Sequence, residues 1–453
     1  MTINQDRFID LFADKTIEDQ TSVFVGAGIS AQLGLPTWKE LLTPCATKLG
    51  MAIDDVNDYY ALSQYYANTF GKNALKREMN REFQLFQSKN ETLDTLLSLE
   101  PNSIWTTNYD TAIEDNLQSK RVRFSKVHDD HDLANISSSD TPIIYKLNGD
   151  IHNLENIILT KDDWENYEHT HPTIITFLKR ELVSNTFLFL GYSFSDNLIT
   201  KSLSDIRRYV GESSNYHYTI MKNMHSSDFE HFICDLEKRY HIKTVLIEEY
   251  SELPEIISSI RNKVIERNIF ISGRLDDQRV EVEEYACELC RVLGIALLKR
   301  KYNICTGMGR KIGYFIAGPA IQYLLEKGIR NFDKRIRIRP FDDTMSQSQA
   351  TAYREHLIDE NHIMIFIFGQ KENSDGYTGS YGVKEEFYIA KRLSKIIIPI
   401  GSTGFESESI WNEVKANIIQ YPYLEGYIEA LMSEKDATKI SRIVLDIVGK
   451  VIQ

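Results

Sequence analysis

Short apolar runs rich in β-branched and aromatic residues alternate along the chain with longer segments whose apolar positions recur at helical spacing. That alternation predicts parallel sheets covered by helices. In the first part of the chain the predicted strands are Ser22–Val25, Ser103–Thr106, Ile143–Leu147, Thr186–Leu190, Tyr218–Met221 and Thr244–Ile247. A long helical insertion, from about Trp38 to Leu97, separates the first two and contains the amphipathic run DDVNDYYALSQYYANTF. A second series follows: Ile269–Ser272, Tyr302–Cys305, Arg335–Arg339, Ile363–Phe368 and Lys395–Ile400, each leading into a helical pattern. Residues 250–268 form the closing helix of the first series. The expected fold class is α/β, with two Rossmann-like parallel-sheet domains, 1–267 and 268–453, the first carrying the helical insertion.

Charge narrows the partners. Sixty-five acidic against 52 basic side chains leave a formal charge of −13, so neither nucleic acid nor an anionic membrane is expected to be drawn by the global field. An anionic ligand must be held by local groups. The N-terminal MTINQDRFIDLF has no basic region and no long apolar run, and no stretch approaches the roughly 20 apolar residues of a spanning helix. Five unevenly spread cysteines fit reduced thiols, and the expected setting is the cytoplasm. Cys287 and Cys290 lie on a helical pattern with no second pair, which predicts packing rather than a metal site. His128 and His131, in KVHDDHDL, are expected on a surface loop; no metal site is predicted.

Candidate chemistry sits at the carboxyl ends of strands, where open α/β sheets bind ligands. VFVGAGISAQLG puts Gly26 and Gly28 after a buried strand, permitting close approach of backbone amides at a helix start. A tight structural turn accounts for such glycines equally well. Other strand ends add to them. IWTTNYD delivers Thr107, Asn108 and Asp110; IYKLNGDIH runs into a polar loop ending at His152; LFLGYSFSD supplies Gly191 and Ser193.

These four segments, in this order, resemble the NAD-binding core of the sirtuin superfamily. The glycine-rich phosphate loop is matched by Gly26, Ala27, Gly28, Ile29 and Ser30, the T-x-N-x-D stretch by Thr106, Asn108 and Asp110, the catalytic histidine by His152, and the later G-x-S loop by Gly191 and Ser193. The resemblance implies that Gly26, Ala27, Gly28, Ser30, Thr107, Asp110, Gly191 and Ser193 hold a dinucleotide while Asn108 and His152 act on it. No cysteine lies between Cys45 and Cys234, so the zinc ribbon of protein deacylases is missing. Their nicotinamide-enclosing segment is replaced by Gly34, Leu35, Pro36, Thr37 and Trp38, and no acyl-lysine-binding strand follows His152. Water is then the expected acceptor of the ribosyl group, with NAD⁺ consumed as substrate and no resident cofactor.

The second series repeats the idea. Its strands end in Gly273 and Arg274, in a glycine-rich loop with Gly307, Gly309, Arg310 and Lys311, and in Gly369 and Lys371. The helix start at Gly382–Glu386 follows, with Lys384 and Glu386. This arrangement resembles the SLOG family of Rossmann-like nucleotide domains, but lacks that family's P-G-G and threonine, which favours binding over hydrolysis. The expected regulatory ligand set is Gly273, Arg274, Gly307, Gly309, Arg310, Gly369, Lys371, Lys384 and Glu386.

A zinc-free sirtuin-like domain joined to a SLOG domain is similar to the effectors of the Thoeris antiphage system. That likeness implies an NAD⁺ hydrolase, assembled as a homotetramer and activated by a cyclic ADP-ribose isomer that a TIR-domain protein makes. Two other readings stay open: a sirtuin-like ADP-ribosyltransferase or deacylase, and a non-catalytic dinucleotide sensor.

Overall fold

The computed structural model describes residues 2–82, 90–136, 141–194, 197–211, 214–330, 332–342, 344–374 and 376–452. The chain separates into two compact units, Met1–Val264 and Ile265–Gln453.

The first unit is built on a seven-stranded parallel sheet. Its strands are β1 (Thr21–Val25), β2 (Ser103–Thr106), β3 (Ser125–Val127), β4 (Ile143–Lys146), β5 (Thr186–Leu190), β6 (His217–Lys222) and β7 (Ile242–Ile247), in the order β3-β4-β2-β1-β5-β6-β7. β1 and β5 are buried at every position, as a sheet covered on both faces requires. The strand β3 was not among those expected, because three residues at a sheet edge give too short an alternation to read. Strand order reverses about β1, which pairs with β2 on one side and β5 on the other. A crevice therefore opens above the carboxyl end of β1, between its two departing connections.

The insertion folds into the helices Trp38–Lys48, Tyr59–Phe70 and Lys72–Glu82, with Glu91–Leu97 leading back to the sheet. Local chemistry sets their starts: Thr37 and Glu40 form a capping box, and the Asp58 carboxylate accepts from the Ala61 amide. The apolar faces of the first three of these helices share a core with Tyr109, Ile151, Ile157 and Leu159, residues of the loops after β2 and β4. The insertion is thereby fastened to two of the strand ends singled out above.

The second unit carries β8 (Asn268–Arg274), β9 (Asn303–Thr306), β10 (Ile336–Ile338), β11 (Ile363–Phe368), a hairpin of β12 (Gln370–Asn373) and β13 (Gly376–Gly379), and β14 (Ile396–Pro399). Five of these form a parallel sheet in the order β10-β9-β8-β11-β14, so β8 is the reversal point here. The β12–β13 hairpin was also not expected: its residues are polar and mostly exposed, and lack the apolar alternation of a packed strand. Cys290 is fully buried in the core of this unit and Cys287 packs against it. Among the described residues no helix is long and apolar enough to cross a membrane.

Candidate active site and nucleotide pocket

In the first unit the loops after β1 and β5 pass so closely that neither tolerates a side chain. A Cβ on Gly26 would lie 2.3 Å from the Gly191 carbonyl oxygen, and one on Gly191, whose φ is +65°, would lie 2.6 Å from the Ile29 nitrogen. The Gly28 amide donates to the Gly191 carbonyl at 2.9 Å. Packing of backbone on backbone thus accounts for these glycines directly. The helix they open, Ala27–Ala31, spans only five residues, so its dipole adds little to anion binding.

What this turn does deliver is Ser30. Its hydroxyl donates to Asp110 Oδ2 at 2.8 Å and accepts from Asn108 Nδ2 at 2.8 Å, and all three side chains are buried. Thr106, at the end of β2, donates to the Val25 carbonyl and accepts from the Asn108 amide, locking the loop after β2 onto β1. Asp110 Oδ1 accepts from the Ala112 amide at the next helix. A serine, an amide and a carboxylate from two loops therefore meet at the reversal point. Thr107 is half-buried beside them, whereas Ser193 and Gly191 are exposed on the loop after β5.

His152 is not part of this cluster. Its imidazole is exposed and, among the described residues, makes no hydrogen bond or ion pair. The chain turns at Gly149, whose φ is +93°, and His152 lies beyond that turn, its amide donating to Asp150 Oδ1 at 2.7 Å. Thr106 pairs with Lys146, and beyond the strands the Ile151 amide donates to the Tyr109 carbonyl at 3.0 Å, so the turn that carries His152 runs beside the stretch bearing Asn108 and Asp110. Asn148 is buried and 3.4 Å from the hydroxyl of Tyr60, a residue of the insertion. Tyr60 belongs to an aromatic group with Trp38 and Trp164, and Trp38 also meets Tyr109. A spacing-based search stops at the histidine as the titratable residue and passes over the asparagine.

Beneath the cluster lies a buried charge network. Lys146 is fully buried and contacts both Glu114 and Asp150, while Lys126 reaches Asp150 at 2.6 Å. Burial pushes the Asp150 carboxyl up, but Lys146, Lys126 and the His152 amide outweigh it and hold the group at about 2. Burial keeps Glu114 above the usual carboxylate range despite Lys146.

The histidines of the KVHDDHDL loop separate. His128 approaches Asp129 and Asp132, with Nδ1 2.5 Å from Asp132 Oδ2 and Nε2 2.7 Å from Asn153 Nδ2, while His131 is exposed. His131, Asp129, Asp130, Glu155, Asp162 and Asp163 help line a cavity of about 490 Å³. Its acidic wall repels an anionic dinucleotide.

The second unit holds a cavity of about 710 Å³ over the ends of β8, β9 and β10. Of the residues expected to meet a ligand, Gly273, Arg274, Gly307, Gly309, Arg310, Lys371 and Glu386 line it. Gly309 passes so near β8 that a Cβ there would lie 1.9 Å from the Gly273 carbonyl oxygen. Gly369 and Lys384 are not among its lining residues. Gly369, with φ +82°, makes the bend into the hairpin, and its added Cβ would strike Glu406. Lys384 sits on the other side of its helix, in a recess of about 330 Å³ with Thr351, Glu355 and Arg392.

Among the cavity residues that escaped the sequence reading are Phe341 and Arg354. The Arg354 guanidinium lies 4.8 Å over the Phe341 ring, bonds Glu385 at 2.8 Å and stands 3.6 Å from Glu386, and its buried Nε has no hydrogen-bond acceptor. Burial pushes the Glu386 carboxyl up to about 7, against the Ser272 hydroxyl, which donates at 2.5 Å, and Arg354. Arg274 is held bidentately by the buried Asp276.

Fold and site thus define a SIR2-like domain followed by a SLOG domain. Residues 102–245 match the SIR2-like domain family, and residues 252–451 match the Sir2- and TIR-associating SLOG family. The chain belongs to the ThsA family of NAD(+) hydrolases. It is 30% identical over 457 residues to NAD(+) hydrolase ThsA of Acinetobacter baumannii (strain 532279), covering 94% of this chain and 95% of that protein. It is 29% identical over 451 residues to NAD(+) hydrolase ThsA of Bacillus cereus (strain MSX-D12), covering 96% and 94%. With NAD(+) hydrolase ThsA of Cytobacillus dafuensis it shares 29% identity over 447 residues, 93% and 90% of the two chains.

Proposed function

We propose that the first unit hydrolyses NAD⁺ to nicotinamide and ADP-ribose, and that a cyclic ADP-ribose-type signal in the cavity of the second unit switches this activity on. The observation that carries the reading is the buried Ser30–Asn108–Asp110 cluster at the reversal point of the sheet, in a chain aligned nearly end to end with proteins named NAD(+) hydrolases. NAD⁺ is then a substrate and not a resident cofactor.

The bond to be broken joins ribose to a pyridinium nitrogen. Nicotinamide leaves as a neutral molecule, so the leaving group needs no proton and the difficulty lies in the positive charge that develops on the ribose. A carboxylate held in place by a serine, beside an amide that can orient a ribose hydroxyl or a water, answers that demand. Water adds to the ribosyl carbon and loses its proton to solvent. A strong general base is not required, which suits a cluster whose polar members are Ser30, Asn108 and Asp110, with His152 on the adjacent turn to relay the proton to solvent.

The cavity of the second unit suits an ADP-ribose closed into a ring by a glycosidic bond, with an anionic pyrophosphate and a flat adenine to be held. Arg274, Arg310 and Lys371 supply positive charge, Arg354, whose Nε stands 3.6 Å from Glu386, adds a further guanidinium, and Phe341 supplies an aromatic face. The signal is the product of a TIR-domain partner, the assembly a homotetramer in the cytoplasm, and NAD⁺ depletion the defensive outcome against phage. A signal raises turnover only by binding the active arrangement more tightly than the resting one.

Purified protein incubated with NAD⁺ and a panel of cyclic ADP-ribose isomers tests the whole reading. Release of nicotinamide that depends on one isomer is expected. Tight NAD⁺ binding with no nicotinamide under any isomer would instead make the chain a dinucleotide sensor, and a mass shift on a protein acceptor would make it a transferase.

A further inference from the structure

Lys146 is the last residue of β4, and its ammonium is withdrawn from solvent. It donates to the Asp110 carbonyl at 2.5 Å, the Tyr109 carbonyl at 3.2 Å, Glu114 Oε1 at 3.1 Å and Asp150 Oδ2 at 3.2 Å. Two of these acceptors are backbone oxygens of the stretch that presents Asn108 and Asp110. A third belongs to the turn after β4, which is tied to the same stretch by the Ile151 amide donating to the Tyr109 carbonyl. One cation therefore gathers the loops after β2 and β4 from below.

A buried lysine is costly, and charge balance alone could explain its presence beside two carboxylates. Balance does not explain its reach to the carbonyls. Lys126 already stands 2.6 Å from Asp150 and 3.9 Å from Glu114, so those acids have a second cation, and the bonds from Lys146 to the Tyr109 and Asp110 carbonyls come in addition to that balance. We propose that Lys146 is a positioning residue for the reaction: it fixes the backbone from which Asn108 and Asp110 meet Ser30. The proposal rests on the reading of the first unit as the hydrolytic one.

The test must separate positioning from charge balance. Lys146→Met alone leaves Glu114 and Asp150 short of a cation and is expected to lower stability. The double variant Lys146→Met/Glu114→Gln removes one charge of each sign, leaves Lys126 with Asp150, and should melt near the parent. In the full chain under conditions of maximal nicotinamide release, kcat of the double variant is expected to fall about 100-fold with KM for NAD⁺ within about twofold, because displaced groups cost rate more than affinity. Amide hydrogen exchange over Asn108–Ala112 should accelerate in parallel. Parent-like kcat and parent-like exchange in the double variant overturn the proposal, and so does failure of the charge-balanced variant to fold, which would make Lys146 a folding residue. If the parent itself releases no nicotinamide, the hydrolytic reading fails, while exchange still decides whether Lys146 holds the loop.

Discussion

The two units use one architecture for opposite ends. Each is a parallel sheet with a reversal point, β1 in the first and β8 in the second, and each delivers glycines and polar side chains at the carboxyl ends of its strands. In the first, the polar groups are spent on one another: Ser30 bonds Asn108 and Asp110, and Lys146 braces their backbone. In the second they surround about 710 Å³ of space, with Arg354 Nε 3.6 Å from Glu386, beyond hydrogen-bond distance. A reaction centre gains from groups already fixed in place, because reorganisation at the moment of bond cleavage costs rate. A sensor gains from groups whose hydrogen bonds the ligand completes, because that difference is what shifts a conformational balance.

The comparison can be broken in four places. Asn108→Ala is expected to lower nicotinamide release by about 10²–10³-fold, the cost of losing one preorganised polar group, while calorimetric binding of the activator stays as in the parent. Loss of both would mean that the units do not divide the work. Arg354→Ala should weaken activator binding roughly 10- to 100-fold, the worth of a charge-assisted hydrogen bond; unchanged affinity would remove the second cavity from consideration.

The next contrast is in pH. Glu386 is pushed up to about 7, so between the ordinary carboxylate range and pH 7 the folded chain keeps a proton that the unfolded chain has released. Stability from this group falls as pH rises through that window and is level above it. Glu386→Gln removes the loss, raising the unfolding free energy at pH 8 by on the order of 1–2 kcal/mol, with the difference closing towards pH 5. Denaturant melts at the two pH values check it, and a gain that persists at pH 5 would contradict the assignment. The last place is His152: with its turn beside Asn108 and Asp110, His152→Ala is expected to lower nicotinamide release by about 10²-fold or more, and turnover kept within about threefold would take the imidazole out of the reaction.

Much of the frame was legible in the amino-acid order. Strand positions followed from short apolar runs, and Ser30, Asn108 and Asp110 were recognisable because polar residues directly after a buried strand have few other reasons to be there. His152 shows the limit. Order along the chain brings the histidine to a strand end, and the contact of Ile151 with Tyr109 sets its turn beside Asn108 and Asp110, but the direction in which the exposed imidazole faces is not written in the local run of residues. Lys384 shows another, since a helix start can present a cation to either side.

The order of residues alone determined the alternation of strands and helices, the division into two sheets, and the loops that end at polar residues, because hydrophobic period and turn chemistry act over a few neighbours. Which of those polar groups face one another was decided only in three dimensions. Lys146 reaches the Asp110 carbonyl from 36 positions away, and Arg354 meets Glu385 from 31. Such pairings depend on strand register and on which helix covers which face, and those are set by burial of the whole core and not by any local run of residues.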